Sequence, residues 1–429
     1  MEPTSPAPRL LVWSASDEAR ERRRRAALRR YVTLDGIADP LCEAARLSAA
    51  RPGDGAVRGA VVADTVDEAV RQLARPPADR SGDPRPVALL FPGQGQQQPA
   101  MAAGLYGHEP HFTAAVDRVL DEWGDEGTRL RDRWLAGDDG AQMNDAPQSQ
   151  PLLFAVGYGL GRMVLEWGVT PVALLGHSVG ELVAATLAGV FTLPDALRML
   201  RDRVESAVAT GPGGMLAVAA AAEELTPYLP SDGRVSVAAV NAPRQTLLAG
   251  PDPDLGELAE KLAADGYTCR RAAARQAFHS PVMADAARQG RPLVAAARPG
   301  PPCWPLYSAY TGGPLDADRV RDPDFWARQI ADPVLFWPTL DTLLASGRYL
   351  LLEAGPGQGL SSIARLHRAV RGGDSAVVPL LPARPGTSVD DRRAVLAAAG
   401  RLWTEGHPLP PVGPLTGCGR HCAPAGRPA

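Results

Sequence analysis

Cysteine is scarce in this chain: five residues in 429, Cys42, Cys269, Cys303, Cys418 and Cys422, odd in number and scattered. Such usage excludes a small disulfide-framed scaffold and suits reduced intracellular thiols. Only Cys418 and Cys422 stand close, in CGRHC around His421, and two thiolates with one imidazole fall short of the four ligands of a structural zinc site. No metal is expected. Net charge is also small, −3 overall, which leaves no global field to attract nucleic acid. Apolar runs are broken by Gly, Pro or charge well short of the roughly 20 residues that a membrane span needs. The N-terminus, MEPTSPAPRLLVWSASDEARERRRR, lacks the apolar segment and cleavage site of a secretory signal. No internal repeat is visible. A soluble, cytoplasmic, monomeric protein without nucleic-acid or membrane partners is the expectation. What is present is length, enough for two or three domains and a sizeable core.

Residues 1–85 read as a small α/β domain: an apolar start (LLVWSA), a helix carrying Arg20, Arg22, Arg23, Arg24, Arg25, Arg29 and Arg30, a strand (AVRGAVVA) and the helix TVDEAVRQLA. The arginine run reads as a solvated helix face, since Asp17 and Glu21 sit among its cations. The linker RPPADRSGDPRP closes the unit. From residue 86 to 212, short apolar runs (VALLFPG, VALLGHS) alternate with helical segments (QPLLFAVGYGLGRMVLEWG, VGELVAATLAGV). Continuous apolar strands between helices predict a parallel sheet covered on both faces. Residues 213–277 change order to β-α-β-β-α-β, the ferredoxin-like unit, as an insertion. The core resumes over 278–385 with PLYSAYTG and YLLLEAGPG, and 386–429 give one more helix, RRAVLAAAGRLWTEG, and a Pro/Gly-rich tail expected to fray. The fold class is therefore α/β, a doubly wound core with an inserted ferredoxin-like subdomain, preceded by a small α/β domain.

Gly176-His177-Ser178-Val179-Gly180 matches G-x-S-x-G between a credible strand and a credible helix, the setting that exposes a nucleophilic serine on a sharp turn. The bare motif fits an ordinary turn serine or N-cap equally well. A second glycine turn, Phe91-Pro92-Gly93-Gln94-Gly95-Gln96-Gln97, follows the first core strand. In a parallel sheet the loops at adjacent carboxyl ends share a crevice, so Gln94 would point an amide donor at an oxyanion beside Ser178. The phosphate-loop pattern G-x-x-x-x-G-K-[ST] is absent. Of seven histidines, His177 adjoins the serine and diverges from it, whereas His279, in QAFHSPVM, falls where the insertion returns to the core. A subdomain border is where a cleft forms, which makes His279 the candidate base.

Together these segments resemble the acyltransferase family of fatty acid and polyketide synthesis, the malonyl-CoA:acyl carrier protein transacylases. The resemblance rests on FPGQGQQ, SQPLLFAV, GHSVGE, QAFHSPVM, VNAPRQTLLAG, YSAYTGGPL, ADPVLF and EAGPG in the family's order, over roughly residues 87–370. Residues 10–80 are similar to the linker between ketosynthase and acyltransferase in modular polyketide synthases, and GRLWTEGHPL resembles the start of the post-acyltransferase linker.

The resemblance implies a hydrolase-like core, with Ser178 as acylated nucleophile and His279 as base, its ring held by a backbone carbonyl of Arg328-Gln329-Ile330, Gln329 being favoured. It implies an oxyanion hole from Gln94 and the backbone N–H of Val179. Arg203 aligns with the arginine that grips the free carboxylate of malonyl groups, a task suited to a guanidinium fork. Gln150, His177, Phe278 and Asn241 fall at site-facing positions. Phe278 and Val179 fit the malonyl pattern rather than the YASH and GHSQ pattern associated with methylmalonyl. Gln276 stands where the family usually has His, which leaves room for hydroxy- or aminomalonyl. The implied activity moves a malonyl-type unit from acyl-CoA, or a carrier protein, through acyl-serine to the phosphopantetheine thiol of an acyl carrier protein, with no bound cofactor. An editing acyl hydrolase is the alternative. Because ketosynthase and carrier segments are absent from these 429 residues, a discrete trans-acting form serving antibiotic-type polyketide assembly is expected.

Overall fold

The computed structural model describes residues 7–77, 83–137 and 141–409. The CGRHC segment with Cys418, His421 and Cys422, the C-terminal tail and the middle of the RPPADRSGDPRP linker lie outside the described residues.

Near the N-terminus, β1 (Arg9–Ala15) pairs antiparallel with β2 (Val57–Ala63), from Arg9 opposite Ala63 to Ala15 opposite Val57. Between them run the arginine-bearing helix Glu18–Tyr31 and the helix Pro40–Ala50, the latter without counterpart in the expected order. Its start carries two signals all the same, proline at the first turn and Asp39 accepting from the Cys42 N–H. The arginine run divides by role. Arg25 is buried, bonded to Glu21 at 2.8 Å and to the Leu73 carbonyl at 3.0 Å, while Arg22, Arg23, Arg29 and Arg30 face solvent. Helix Ser388–Thr404, the piece expected as a separate C-terminal linker, packs onto these strands: Trp403 Nε1 donates to the Trp13 carbonyl at 3.2 Å, and the Arg58 guanidinium lies 4.2 Å from the Trp403 ring centre. Cys42, expected as a reduced thiol, is disulfide-bonded, whereas Cys269 and Cys303 are free.

The core begins with β3 (Val87–Phe91) and β4 (Ala173–Gly176), every residue of which is buried. Burial on both faces is why these segments are continuous apolar runs. The chain then makes β5 (Gly213–Val218), β6 (Ser236–Ala242), β7 (Gln245–Pro251) and β8 (Cys269–Arg271), a separate antiparallel sheet in the order β6-β7-β5-β8. That is the split arrangement of a ferredoxin-like unit, with its first helix cut to the single turn Ala222–Leu225. β9 (Leu306–Ser308), β10 (Gly313–Pro314), β11 (Leu350–Glu353) and β12 (Ala376–Pro379) complete the core sheet, in the order β10-β9-β4-β3-β11-β12. All its pairs are parallel except the β9–β10 edge. After β9 and β10 the chain returns to pair with the far side of β3, so the carboxyl ends of β3, β4 and β11 open on one crevice. The small sheet is tied to the core through Val334, whose N–H donates to the Ala238 carbonyl at 2.9 Å and whose carbonyl accepts from the Val240 N–H at 2.8 Å. Among the described residues no helix is long and apolar enough to cross a membrane.

Candidate active site

Ser178 stands between β4 and the helix Val179–Leu187 with φ 54° and ψ −120°, outside the regions an L-residue prefers. The turn is forced by close packing: a Cβ on Gly176 would lie 2.1 Å from the Glu181 nitrogen, and one on Gly180 would lie 2.1 Å from the Phe91 carbonyl oxygen. The two glycines of G-x-S-x-G thus let the helix start against β3 and β4 and leave the serine at its N-terminus, where negative charge is favoured.

His279 arrives from the far side of the insertion, also with positive φ (61°), and its N–H donates to the Ile330 carbonyl at 2.8 Å. Its Nε2 lies 2.8 Å from Ser178 Oγ, and its Nδ1 donates to the Asp332 carbonyl at 3.1 Å. The ring-holding carbonyl is therefore chiefly that of Asp332 rather than of the expected Gln329, whose carbonyl contributes less. The helix Pro323–Arg328 ends just before, and the turn that follows aims the later carbonyl at the ring. With Nδ1 donating, Nε2 is free to accept a proton. Burial, then the positive charge of Arg203, then His177 hold the His279 imidazolium well below the ordinary 6.5, so the ring is a neutral base.

Gln329 has another task. Its side chain donates at 3.0 Å to Glu181, a buried carboxylate that also accepts from Ser308 Oγ (2.6 Å) and the Ala309 N–H (3.0 Å). Burial pushes Glu181 up to about 8, against the pull of those three donors and of Arg203. It fastens the first turn of the nucleophile helix to the turn after β9 and to the segment that orients His279.

Gln94 is held at both ends of its side-chain amide: Nε2 donates to the Asn144 carbonyl at 3.3 Å and Oε1 accepts from Gln150 Nε2 at 2.9 Å, which leaves one amide N–H without a partner. The backbone N–H of Gln94 remains, and among the described residues neither it nor the N–H of Val179 has an acceptor. His177 Nε2 lies 2.8 Å from Asn241 Oδ1 on β6, joining the residue before the nucleophile to the small sheet. Gln94, Gln150, His177, Ser178, Asn241, Phe278 and His279 all line one cleft of about 700 Å³ between the subdomains.

Arg203, on helix Leu193–Ala209, reaches the nucleophile from behind: Nη2 donates to Ser178 Oγ at 3.2 Å. Its stem lines a separate small apolar pocket with Leu182, Met199 and Trp326. Its Nε is buried without a partner, and among the described residues no carboxylate lies in ion-pair range. A half-buried cation with no carboxylate partner and a buried, unmet Nε beside a nucleophile suits an anion supplied by the ligand. Glu181, Tyr310 and Asp332 belong to the site as well, though no motif marked their roles. Glu181 closes GHSVGE and Tyr310 sits within YSAYTGGPL, which were the available signals. Among the described residues no group of three or more His, Cys, Asp or Glu is placed to hold a metal.

Residues 88–393 match the acyl transferase domain family. The chain belongs to that family. It is 37% identical over 344 residues to a phenolphthiocerol/phthiocerol polyketide synthase protein of Mycobacterium tuberculosis, covering 78% of this chain and 22% of that protein. To the spectinabilin polyketide synthase system protein NorB of Streptomyces orinoci it is 32% identical over 330 residues, 75% of this chain and 15% of that one. The chain thus spans about a fifth or less of these relatives' lengths. Among solved structures, the acyl transferase domain of SpnD in complex with 2-(pent-4-yn-1-yl)malonyl superimposes with a TM-score of 0.81 at 30% identity, covering 93% of this acyltransferase and 96% of that chain. FabD from Acinetobacter baumannii shares the fold at 21% identity with a TM-score of 0.64, over 74% of this acyltransferase and 99% of FabD.

Proposed function

We propose that this acyltransferase moves a malonyl-type extender unit from acyl-CoA to the phosphopantetheine thiol of an acyl carrier protein in cytoplasmic polyketide assembly. The unpaired Arg203 guanidinium 3.2 Å from Ser178 Oγ carries this reading, because it places one positive charge where the far carboxylate of a dicarboxylic monothioester would lie.

In the first half-reaction Nε2 of His279 takes the Ser178 proton as Oγ attacks the thioester carbonyl. The backbone N–H groups of Gln94 and Val179 receive the oxyanion, and collapse expels the CoA thiolate, which takes the proton back from His279. In the second, the carrier thiol gives its proton to His279 and attacks the acyl-serine carbonyl, and collapse breaks the ester bond to Ser178 Oγ, which takes that proton back from His279. A hydrolase for uncharged acyl chains gains nothing from Arg203 and would leave its cation unpaired. Hydroxymalonyl or aminomalonyl is the second reading, supported by the buried, unpartnered Oε1 of Gln276.

Intact-mass analysis after incubation with malonyl-, hydroxymalonyl- and acetyl-CoA tests the assignment. A malonyl-type adduct on the wild-type chain that Ser178→Ala abolishes is expected; acetyl without malonyl loading would overturn it. Excised carrier domains added in trans then show whether the group reaches a thiol or water.

A further inference from the structure

Tyr310 follows β9 in the turn that Glu181 and Ser308 hold in place, and its own N–H donates to Ser308 Oγ at 3.1 Å. Its ring centre lies 6.1 Å from that of His279. The phenolic hydroxyl is buried close enough to the Arg203 guanidinium and the Ser178 hydroxyl to feel both, yet neither contact has the geometry of a hydrogen bond. A buried hydroxyl without a partner costs roughly 1–3 kcal/mol. Its neighbour Arg203 has the complementary defect, a buried Nε with no acceptor.

Two buried donors without acceptors, Arg203 Nε and the Tyr310 hydroxyl, therefore belong to side chains that both border Ser178. The guanidinium has no acceptor atom, so it can donate to the phenol oxygen but cannot take the phenol's proton, and that O–H needs an oxygen from elsewhere. Burial pushes the phenol up against the opposing pull of Arg203, with Glu181 adding to the rise, so its proton stays on and it remains a donor. A group that accepts from both must be small, oxygen-rich and anionic.

Resting on the malonyl-type reading of the site, we propose that Tyr310 is a specificity-determining residue. Its hydroxyl donates to the free carboxylate of the acyl group that Arg203 pairs with, so that a guanidinium and a phenol grip the two carboxylate oxygens together. An uncharged acetyl group leaves both donors unmet, whereas a malonyl group satisfies both. Selection for the carboxylate is then shared between two elements, the helix Leu193–Ala209 and the turn after β9, and a change in either is felt in the choice of substrate.

The test measures kcat/KM for acylation from malonyl-CoA and from acetyl-CoA in the wild type, Tyr310→Phe and Arg203→Ala. Removing a hydrogen bond to a charged group corresponds to tenfold or more, so Tyr310→Phe is expected to lower the malonyl value at least tenfold and leave the acetyl value within twofold. An unchanged malonyl-to-acetyl ratio in Tyr310→Phe, with the ratio collapsed in Arg203→Ala, would overturn the role of Tyr310 and leave the malonyl reading standing. A ratio unchanged in both variants would overturn the malonyl reading itself. Equal losses on both substrates in Tyr310→Phe would show a merely structural role and also sink the proposal.

Discussion

Asp332 and Ser178 hold opposite sides of one imidazole: the Asp332 carbonyl accepts from Nδ1 of His279 at 3.1 Å, and Ser178 Oγ meets Nε2 at 2.8 Å. A neutral carbonyl fixes the tautomer as an aspartate would, but adds no negative charge to stabilise an imidazolium. With Arg203 close by, the ring is pushed toward its neutral form from both sides of that balance.

The acid limb of the acylation rate should accordingly lie well below pH 6.5, since the depressed His279 stays neutral until the pH falls to its folded value. Arg203→Gln removes one depressing charge and should move that limb up toward 6.5. Single-turnover malonyl and acetyl loading across the acid range measures it, and a limb at or above 6.5 in the wild type would contradict the placement.

Glu181 makes stability depend on pH in the opposite sense from an ion-paired carboxylate. Its folded value is raised from 4.5 to about 8, so between those limits the folded state binds more protons than the unfolded one. Stability contributed by the protonated form is complete below 4.5 and drains away as pH rises through about 8. Glu181→Gln should flatten this part of the slope, read from denaturant midpoints at several pH values.

Gly180→Ala should damage catalysis before it damages the fold. The new Cβ would fall 2.1 Å from the Phe91 carbonyl oxygen, so the nucleophile turn must move away from β3. A misplacement of about 1 Å costs on the order of 100-fold in rate. Acylation should drop by that order while circular dichroism stays near wild type.

Trp403→Ala should cost about 3–5 kcal/mol, because the indole is buried, donates to Trp13 and lies under Arg58. Urea unfolding monitored beside limited proteolysis of the N-terminal strands measures it; a cost below about 1 kcal/mol would show that the C-terminal helix is not a structural part of that unit.

The parallel core was legible because total burial writes β3 and β4 as unbroken apolar runs and β11 as three leucines before Glu353, and the nucleophile turn because only glycine permits its two close approaches. What the sequence left open depends on contacts far apart along the chain. The Gln94 side chain is claimed by Asn144 and Gln150, some fifty residues away, which no local pattern announces. Choosing the Asp332 carbonyl over that of Gln329 turns on how one helix ends, a matter of a few backbone angles. Tyr310 stands in YSAYTGGPL, but the segment does not announce its role, because a tyrosine in a turn acquires meaning only when Arg203 and Ser178 are folded around it. The packing of helix Ser388–Thr404 on β2 is likewise a contact between opposite ends of the chain.

Ser178 and His279 are 101 residues apart, and the whole four-stranded insertion lies between them. The dyad therefore depends on a chain that leaves the core, forms the insertion and returns, with the small sheet tied to the core at Val334. Covalent capture of Ser178 by a fluorophosphonate would therefore serve as a gauge of maturation. A population that shows full helix content yet resists the probe would be one in which Ser178 and His279 have not yet met, and the delay between the two signals would time that meeting.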